Sequence, residues 1–163
     1  MKKNVSNVKA QSQTRIRSDI IDIKRKSQTI NFSGNVVVEK DDSILLAENM
    51  LVVYFENKDA GDSEIKRIEA RNNVKIFTEE FIASADFGYF DPSQDIFVLQ
   101  KNVVVNNGSS IAGGEKFVYN LKTKKGKFVG NKNETSITGN GGDKRVLVVI
   151  GEGLKDKKVK NKN

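Results

Sequence analysis

Residues 81–105 read FIASADFGYFDPSQDIFVLQKNVVV, and they decide the fold. Phe81, Ala83 and Ala85 fall at alternate positions, and Gly88 and Phe90 carry the alternation on after Asp86. Period two marks a strand with one face turned to a core. At Ala85 and Asp86 the alternation slips by one residue. A slip turns every later side chain to the opposite face unless the chain bends or bulges there. The pair therefore predicts a corner, with the small residue inside the bend and the acid facing water. Pro92 predicts a turn between strands. Beyond it Phe97 and Leu99 lead to Asn102, and Val103 and Val105 follow.

The same landmarks recur along the chain. Asn35, Asn73, Asn102 and Asn131 step by 38, 29 and 29 residues. The small-acid pairs are Ser18 and Asp19, Ala47 and Glu48, Ala85 and Asp86, Gly114 and Glu115, and their acids step by 29, 38 and 29. Both series give a 29-residue period with nine extra residues in one interval. A fixed period of this size predicts stacked units that cannot bury their apolar faces alone. The nine extra residues fall near the polar run of residues 56–63, which is expected to be a surface loop. A leucine-rich repeat has a similar period, but its Leu spacing and helical runs are missing. The expected fold is all-β: stacked, V-shaped antiparallel strands with an apolar groove inside the fold.

Parity selects the residues of that groove. They are Ile16, Ile21, Ile23, Phe32, Val36, Val38, Met50, Val52, Val74, Ile76, Phe90, Phe97, Leu99, Val103, Val105, Phe117, Tyr119 and Phe128. A lined groove and the dry core of a β-sandwich produce the same alternation, so parity leaves both readings open.

Composition narrows the function. The chain has 163 residues, no Cys and no His, which removes cysteine nucleophiles, histidine acid-base pairs and nearly all zinc sites. No catalytic set, metal site or cofactor is expected. The corner acids offer one carboxylate per unit without the Gly-rich loops of calcium-binding β-repeats, so solvated acids are the reading preferred. Gly113 and Gly114, and Gly139, Gly141 and Gly142, precede no helix and fit no phosphate loop. Net charge is +7, and Lys122, Lys124, Lys125 and Lys127 form a basic turn. These four lysines are the candidates for contact with phosphate. Nucleic acid is not expected, because the aromatic residues fall on the inward face and do not alternate with the lysines.

The organisation expected is a flexible arm over residues 1–14, one β domain over 15–152 and a basic, disordered tail over 153–163. Residues 1–13 are polar and carry no secretory signal, so a targeting segment is taken to have been removed. Both ends of the stack are expected to be uncovered. Ile16 and Ile21 would present one edge, and Val146, Val148 and Ile150 the other. Such edges invite strand addition by a partner, and joining one end to the other gives open filaments.

The ordered set of Ile16 to Asp19, Gly34 to Val38, Ala47 to Tyr54, Asn73 to Ile76, Ala85 to Phe90 and Asn102 to Tyr119 resembles the OstA-like family. The resemblance runs over about residues 15–150. It implies a β-jellyroll solenoid, or β-taco, in the periplasm. It implies lipopolysaccharide as ligand, with the lipid A acyl chains inside the fold during transport from inner to outer membrane. It also implies end-to-end joining with LptC-like and LptD-like proteins and with further copies of the chain. The family includes LptC and the periplasmic domain of LptD, so a relative of either type shares the pattern. A buried methylene gains about 0.8 kcal/mol, so an acyl chain would gain roughly 10 kcal/mol in a dry groove. Two rival readings remain: a structural solenoid with a packed interior, and a polysaccharide-active enzyme. An enzyme would need inward acids, whereas the inward positions here are aliphatic or Phe.

Overall fold

The computed structural model describes residues 13–130 and 145–151. The strands in chain order are β1 (Thr14–Arg17), β2 (Ile20–Lys24), β3 (Thr29–Lys40), β4 (Ser43–Asn57), β5 (Asp62–Phe77), β6 (Ile82–Asp91), β7 (Ile96–Asn106), β8 (Ser110–Asn120), β9 (Lys125–Val129) and β10 (Leu147–Ile150). They form one antiparallel sheet in the order β1-β3-β4-β5-β6-β7-β8-β10. β2 also pairs with β3, and β9 with β8. β1 and β2 are thus two halves of one rung, both laid on β3; β9 and β10 cover the two halves of β8. The protein is all-β, as the alternation predicts.

Every long strand bends at the same level. Register shifts fall between Ser33 and Val36, Leu46 and Asn49, Arg71 and Val74, Ser84 and Phe87, and Gln100 and Val103. At three of these shifts the two residues Gly34 and Asn35, Asn72 and Asn73, or Lys101 and Asn102 stand against a single acid of a neighbouring strand. All six have positive φ, from 47° at Asn35 to 78° at Gly34. Asn tolerates this left-handed region better than most residues, and Gly does so without a steric cost. A Cβ on Gly34 would also stand 2.6 Å from Asp19 Oδ2, so a larger residue there would have to displace the Asp19 side chain.

These bends form a spine that divides the sheet into two facing arms. The first arm holds β2, residues 29–33, 49–57, 62–71, 87–91, 96–100 and 116–120, and β9. The second arm holds β1, residues 36–40, 43–46, 74–77, 82–84, 103–106 and 110–113, and β10. Apolar side chains fill the space between them as one cluster, with Val36, Met50, Val74, Leu99 and Val103 fully buried.

Two expectations need correction. The corner lies in the middle of continuous strands, so Asn35, Asn73 and Asn102 do not open new strands; each sits opposite a corner acid. The nine-residue insertion is not a loop. It lengthens β4 and β5, which continue to pair as Tyr54 with Ile65, Phe55 with Glu64, Glu56 with Ser63 and Asn57 with Asp62. Only residues 58–61 form a turn. Cross-strand hydrogen bonds can satisfy the added backbone groups, which an irregular loop would leave to water.

Pro92 lies in the turn between β6 and β7, as expected. The proposed arm and tail lie outside the described residues except at Gln13 and Thr14, and Thr14 already pairs with Lys40. Asn131, Gly139, Gly141 and Gly142 also lie outside them.

Candidate functional site

The interior between the arms is built from both sides of the spine. From the first arm come Phe32, Met50, Val52, Phe97, Leu99, Phe117 and Tyr119, all buried. From the second come Val36, Val38, Val74, Ile76 and Val103, also buried. Ile16, Phe90, Val105 and Phe128 are partly buried and pack against this cluster. Sixteen of the eighteen parity-selected residues therefore meet in one apolar body. Ile21 and Ile23 do not. They face inward, opposite Phe32 and Ile30, but among the described residues β2 is the end of the stack, and they are 54% and 60% exposed. At the other end Val148 stands opposite Ala112 on the inner face, 52% exposed, with Ile150 in the same strand and the same parity. The apolar interior thus runs the length of the stack, and no other described residue covers it at either end.

The interior is shut. A void of about 20 Å3 lies within it, lined by residues including Leu45, Ile68, Ile76, Phe90 and Leu99. A larger concavity, about 740 Å3, lies outside along the spine among Glu48, Arg71, Asn73, Asp86 and Lys101. It is separate from the apolar interior.

The mouth, where the arm tips face each other, is closed by three contacts. Phe81, in the turn after β5, reaches from the tip of the second arm to rings of the first. Its ring centroid is 5.0 Å from Tyr119, 6.0 Å from Phe117 and 6.2 Å from Phe97. Two of these contacts are edge-on, the geometry that ring quadrupoles favour. Beside it the Tyr119 hydroxyl donates to Glu80 Oε2 at 2.5 Å, and Lys124 Nζ lies 3.2 Å from Glu80 Oε1. Farther along, Lys40 of the second arm places its ammonium 5.4 Å from the centre of the Phe90 ring.

This corner of the site is electrostatically tuned. Burial, and then the hydrogen bond to the Glu80 carboxylate, push the Tyr119 phenol up to about 12. The Tyr119 hydroxyl, followed by Lys124, holds the exposed Glu80 carboxyl below its ordinary value. The Glu80 contact therefore weakens as pH falls through that lowered value and the carboxylate gains a proton.

The basic turn divides. Lys124 pairs with Glu80, and Lys122 with Asp95 at 3.1 Å. Lys125 and Lys127 lie in β9, opposite Asn120 and Val118. Lys122 and Lys124 remain well exposed. The corner acids are exposed, as expected at Asp19, Glu48 and Asp86, but they are not merely solvated. Asn35 Nδ2 donates to Asp19 Oδ2 at 3.0 Å, Asn73 to Glu48, and Asn102 to Asp86 at 2.7 Å. Among the described residues no three acidic side chains converge as a metal site would require.

Sequence reasoning missed Glu80, the bridging role of Phe81 and the Lys40 contact. The inward parity of Phe81 was visible. The contact between Glu80 and Tyr119 joins residues 39 apart with no local pattern to signal it.

A single antiparallel sheet folded lengthwise about a polar spine, with an apolar interior between its two arms, defines the class of this protein. The model of the family described as LptA/(LptD N-terminal domain) LPS transport protein matches residues 15–125, and the chain belongs to that family. Its fold is similar to that of LptH, described as the LptA homologous periplasmic component of the lipopolysaccharide transport device of Pseudomonas aeruginosa. The TM-score is 0.69 at 16% identity, over 85% of this chain and 95% of that one. Uncharacterized protein R00383 of Rhizobium meliloti (strain 1021) is 31% identical over 103 residues, or 61% of this chain and 55% of that protein. The chain therefore spans about half the length of that relative.

Proposed function

We propose that this chain is a periplasmic carrier of lipopolysaccharide that shelters lipid A acyl chains between its two arms. The observation that carries this reading is the apolar interior, which among the described residues runs from Ile21 and Ile23 at one end to Val148 at the other and stays exposed at both. An apolar path that ends at the faces of a stack can continue into a neighbour stacked on it, so a lipid passes along without meeting water. The family and the likeness to LptH support lipopolysaccharide as the lipid and the periplasm as the compartment. The partners proposed are LptC-like and LptD-like proteins and further copies of the chain, joined through the edges of β1, β2, β9 and β10. Lys125 and Lys127 are proposed as the phosphate contacts, because Lys122 and Lys124 already face carboxylates.

The experiment is photocrosslinking from the interior. A benzophenone amino acid at Phe90, on the inner face near the mouth, is expected to capture lipopolysaccharide, and one at Asp86, outside on the spine, is not. Equal capture at both positions, or none at Phe90, defeats the reading. The second reading is a β-solenoid whose interior is purely structural, and the closed interior favours it. It requires no capture at Phe90 at any lipopolysaccharide concentration.

A further inference from the structure

We propose that the 78–81 turn is a strap that holds the mouth shut, and that Phe81 is the side chain an acyl chain displaces on its way in. The proposal rests on the lipid-carrier reading and adds how a closed interior can admit its cargo. The void of about 20 Å3 has room for about one water and none for an acyl chain. No acyl chain fits until some side chain leaves.

The strand residues of the interior are poor candidates to leave. Val52, Ile76 and Leu99 are paired with both neighbouring strands, so moving them means breaking the sheet. Phe81 lies outside any strand. Its backbone is held by a local turn, in which Thr78 N donates to Phe81 O and Phe81 N donates to Thr78 Oγ1. That turn can swing as a unit without loss of any strand pair. Phe81 is nonetheless buried, at 7% exposure, because its ring lies on Phe97, Phe117 and Tyr119. These rings belong to the interior, and an acyl chain laid against them would replace the apolar contact that Phe81 gives up.

The tether that keeps the strap down is weak and placed at the rim. The ion pair between Glu80 and Lys124 joins side chains 45% and 65% exposed, and exposed pairs of this kind hold loosely. The hydrogen bond from Tyr119 reinforces it. Tyr119 thus serves twice: its ring is part of the interior wall, and its hydroxyl fastens the strap. Lipid contact with that wall competes directly with the fastening.

The chain has no Cys, so two can be introduced and labelled cleanly. Nitroxide labels on Glu79→Cys and Thr123→Cys, exposed positions at opposite tips of the mouth, report the gap between the arms. Fluorescent lipid A, followed by anisotropy, reports binding on the full chain without labels and on its Glu80→Gln variant. The expected result is that lipid A lengthens the nitroxide distance and that Glu80→Gln takes up lipid A about twofold to fivefold faster. Binding by Glu80→Gln alone also supports the strap. Lipid A binding with an unchanged nitroxide distance, or with equal uptake rates, overturns the strap and leaves the carrier reading standing. No binding by either protein overturns the carrier reading, and the strap falls with it. Tyr119→Phe, which keeps the ring and removes the hydroxyl, is expected to match Glu80→Gln; uptake by it at the unmodified rate also counts against the strap.

Discussion

Asn102 donates its side-chain amide to Asp86 at 2.7 Å, across the bend where β6 and β7 turn from one arm to the other. The same bond joins Asn35 to Asp19 and Asn73 to Glu48. The separations are 16, 25 and 16 residues, and the odd one holds the nine residues that lengthen the hairpin between β4 and β5. The repeated Asn and the repeated acid are therefore one device. The Asn accepts the left-handed backbone that the fold requires, and its amide binds the carboxylate that the slip in the neighbouring strand turns outward.

Asn102 should accordingly be worth more than its exposure suggests. Asn102→Ala loses the bond to Asp86 and places a Cβ-bearing residue with no left-handed preference at φ 52°. The expected cost is about 1–2 kcal/mol in urea unfolding. Asn102→Gly keeps the backbone preference and loses only the bond, so its cost should be smaller, about 0.5–1.5 kcal/mol. Glycine and alanine variants of equal stability would show that the left-handed backbone is not what Asn supplies.

Tyr119 gives a spectroscopic handle on the mouth. One of the three tyrosines should ionise near 12, and Tyr119→Phe should remove that step from the ultraviolet titration. The sign for stability follows from protons bound. Between the ordinary tyrosine value of about 10 and the raised one, the folded chain keeps a proton that the unfolded chain gives up. The contribution is complete below about pH 10 and is lost as pH rises toward 12. Stability of the unmodified chain should fall more steeply over that window than stability of Tyr119→Phe. Parallel curves would mean that the phenol is neither buried nor held by Glu80 in solution.

The extended hairpin can be shortened by following its register. Tyr54 and Ile65 are directly opposite, so residues 55–64 can be replaced by Asn-Gly, a pair suited to a two-residue hairpin turn. The removed residues are exposed, and Phe55, the one large apolar side chain among them, is 44% exposed. The shortened chain should keep its β-sheet circular dichroism and unfold in one cooperative step. Loss of cooperative unfolding would mean that the hairpin supports the arms beyond Tyr54.

Much of the fold was legible because stacking repeats one local rule. Val36, Val74 and Val103 each follow an Asn, share one parity, and are 1%, 0% and 1% exposed. The slip at each acid marked the bends correctly. Position in the stack was not legible from parity: Ile21 keeps the pattern of Met50, yet one is 54% exposed and the other 2%, because β2 has a strand on one side only among the described residues. The form of the insertion was also hidden, since its polar residues read as a loop while their backbone pairs as strands. The mouth was least legible of all. Glu80, Phe81, Lys124 and Tyr119 meet only once the arms face each other, and such contacts leave no period in the chain.

The C-terminal edge offers the most direct test of end-to-end joining. Gly151 N donates to Ser109 O at 2.8 Å, so Gly151 and Ser109 form a hydrogen-bonded pair. In an antiparallel ladder such pairs alternate with non-bonded ones, which makes Val149 with Ile111 bonded and Val148 with Ala112 non-bonded. The N–H of Val148 therefore points away from β8, toward the free edge of β10. Val148→Pro removes an outward donor and leaves the bonds between β10 and β8 in place. If copies join by adding a strand to this edge, the unmodified chain should form concentration-dependent head-to-tail oligomers in sedimentation, and Val148→Pro should shift them toward monomer. Val149→Pro is the contrasting variant, because its N–H faces β8; it should loosen β10 itself and lower thermal stability as well. A chain that stays monomeric at high concentration, or oligomers indifferent to Val148→Pro, would leave the β10 edge without a role in joining.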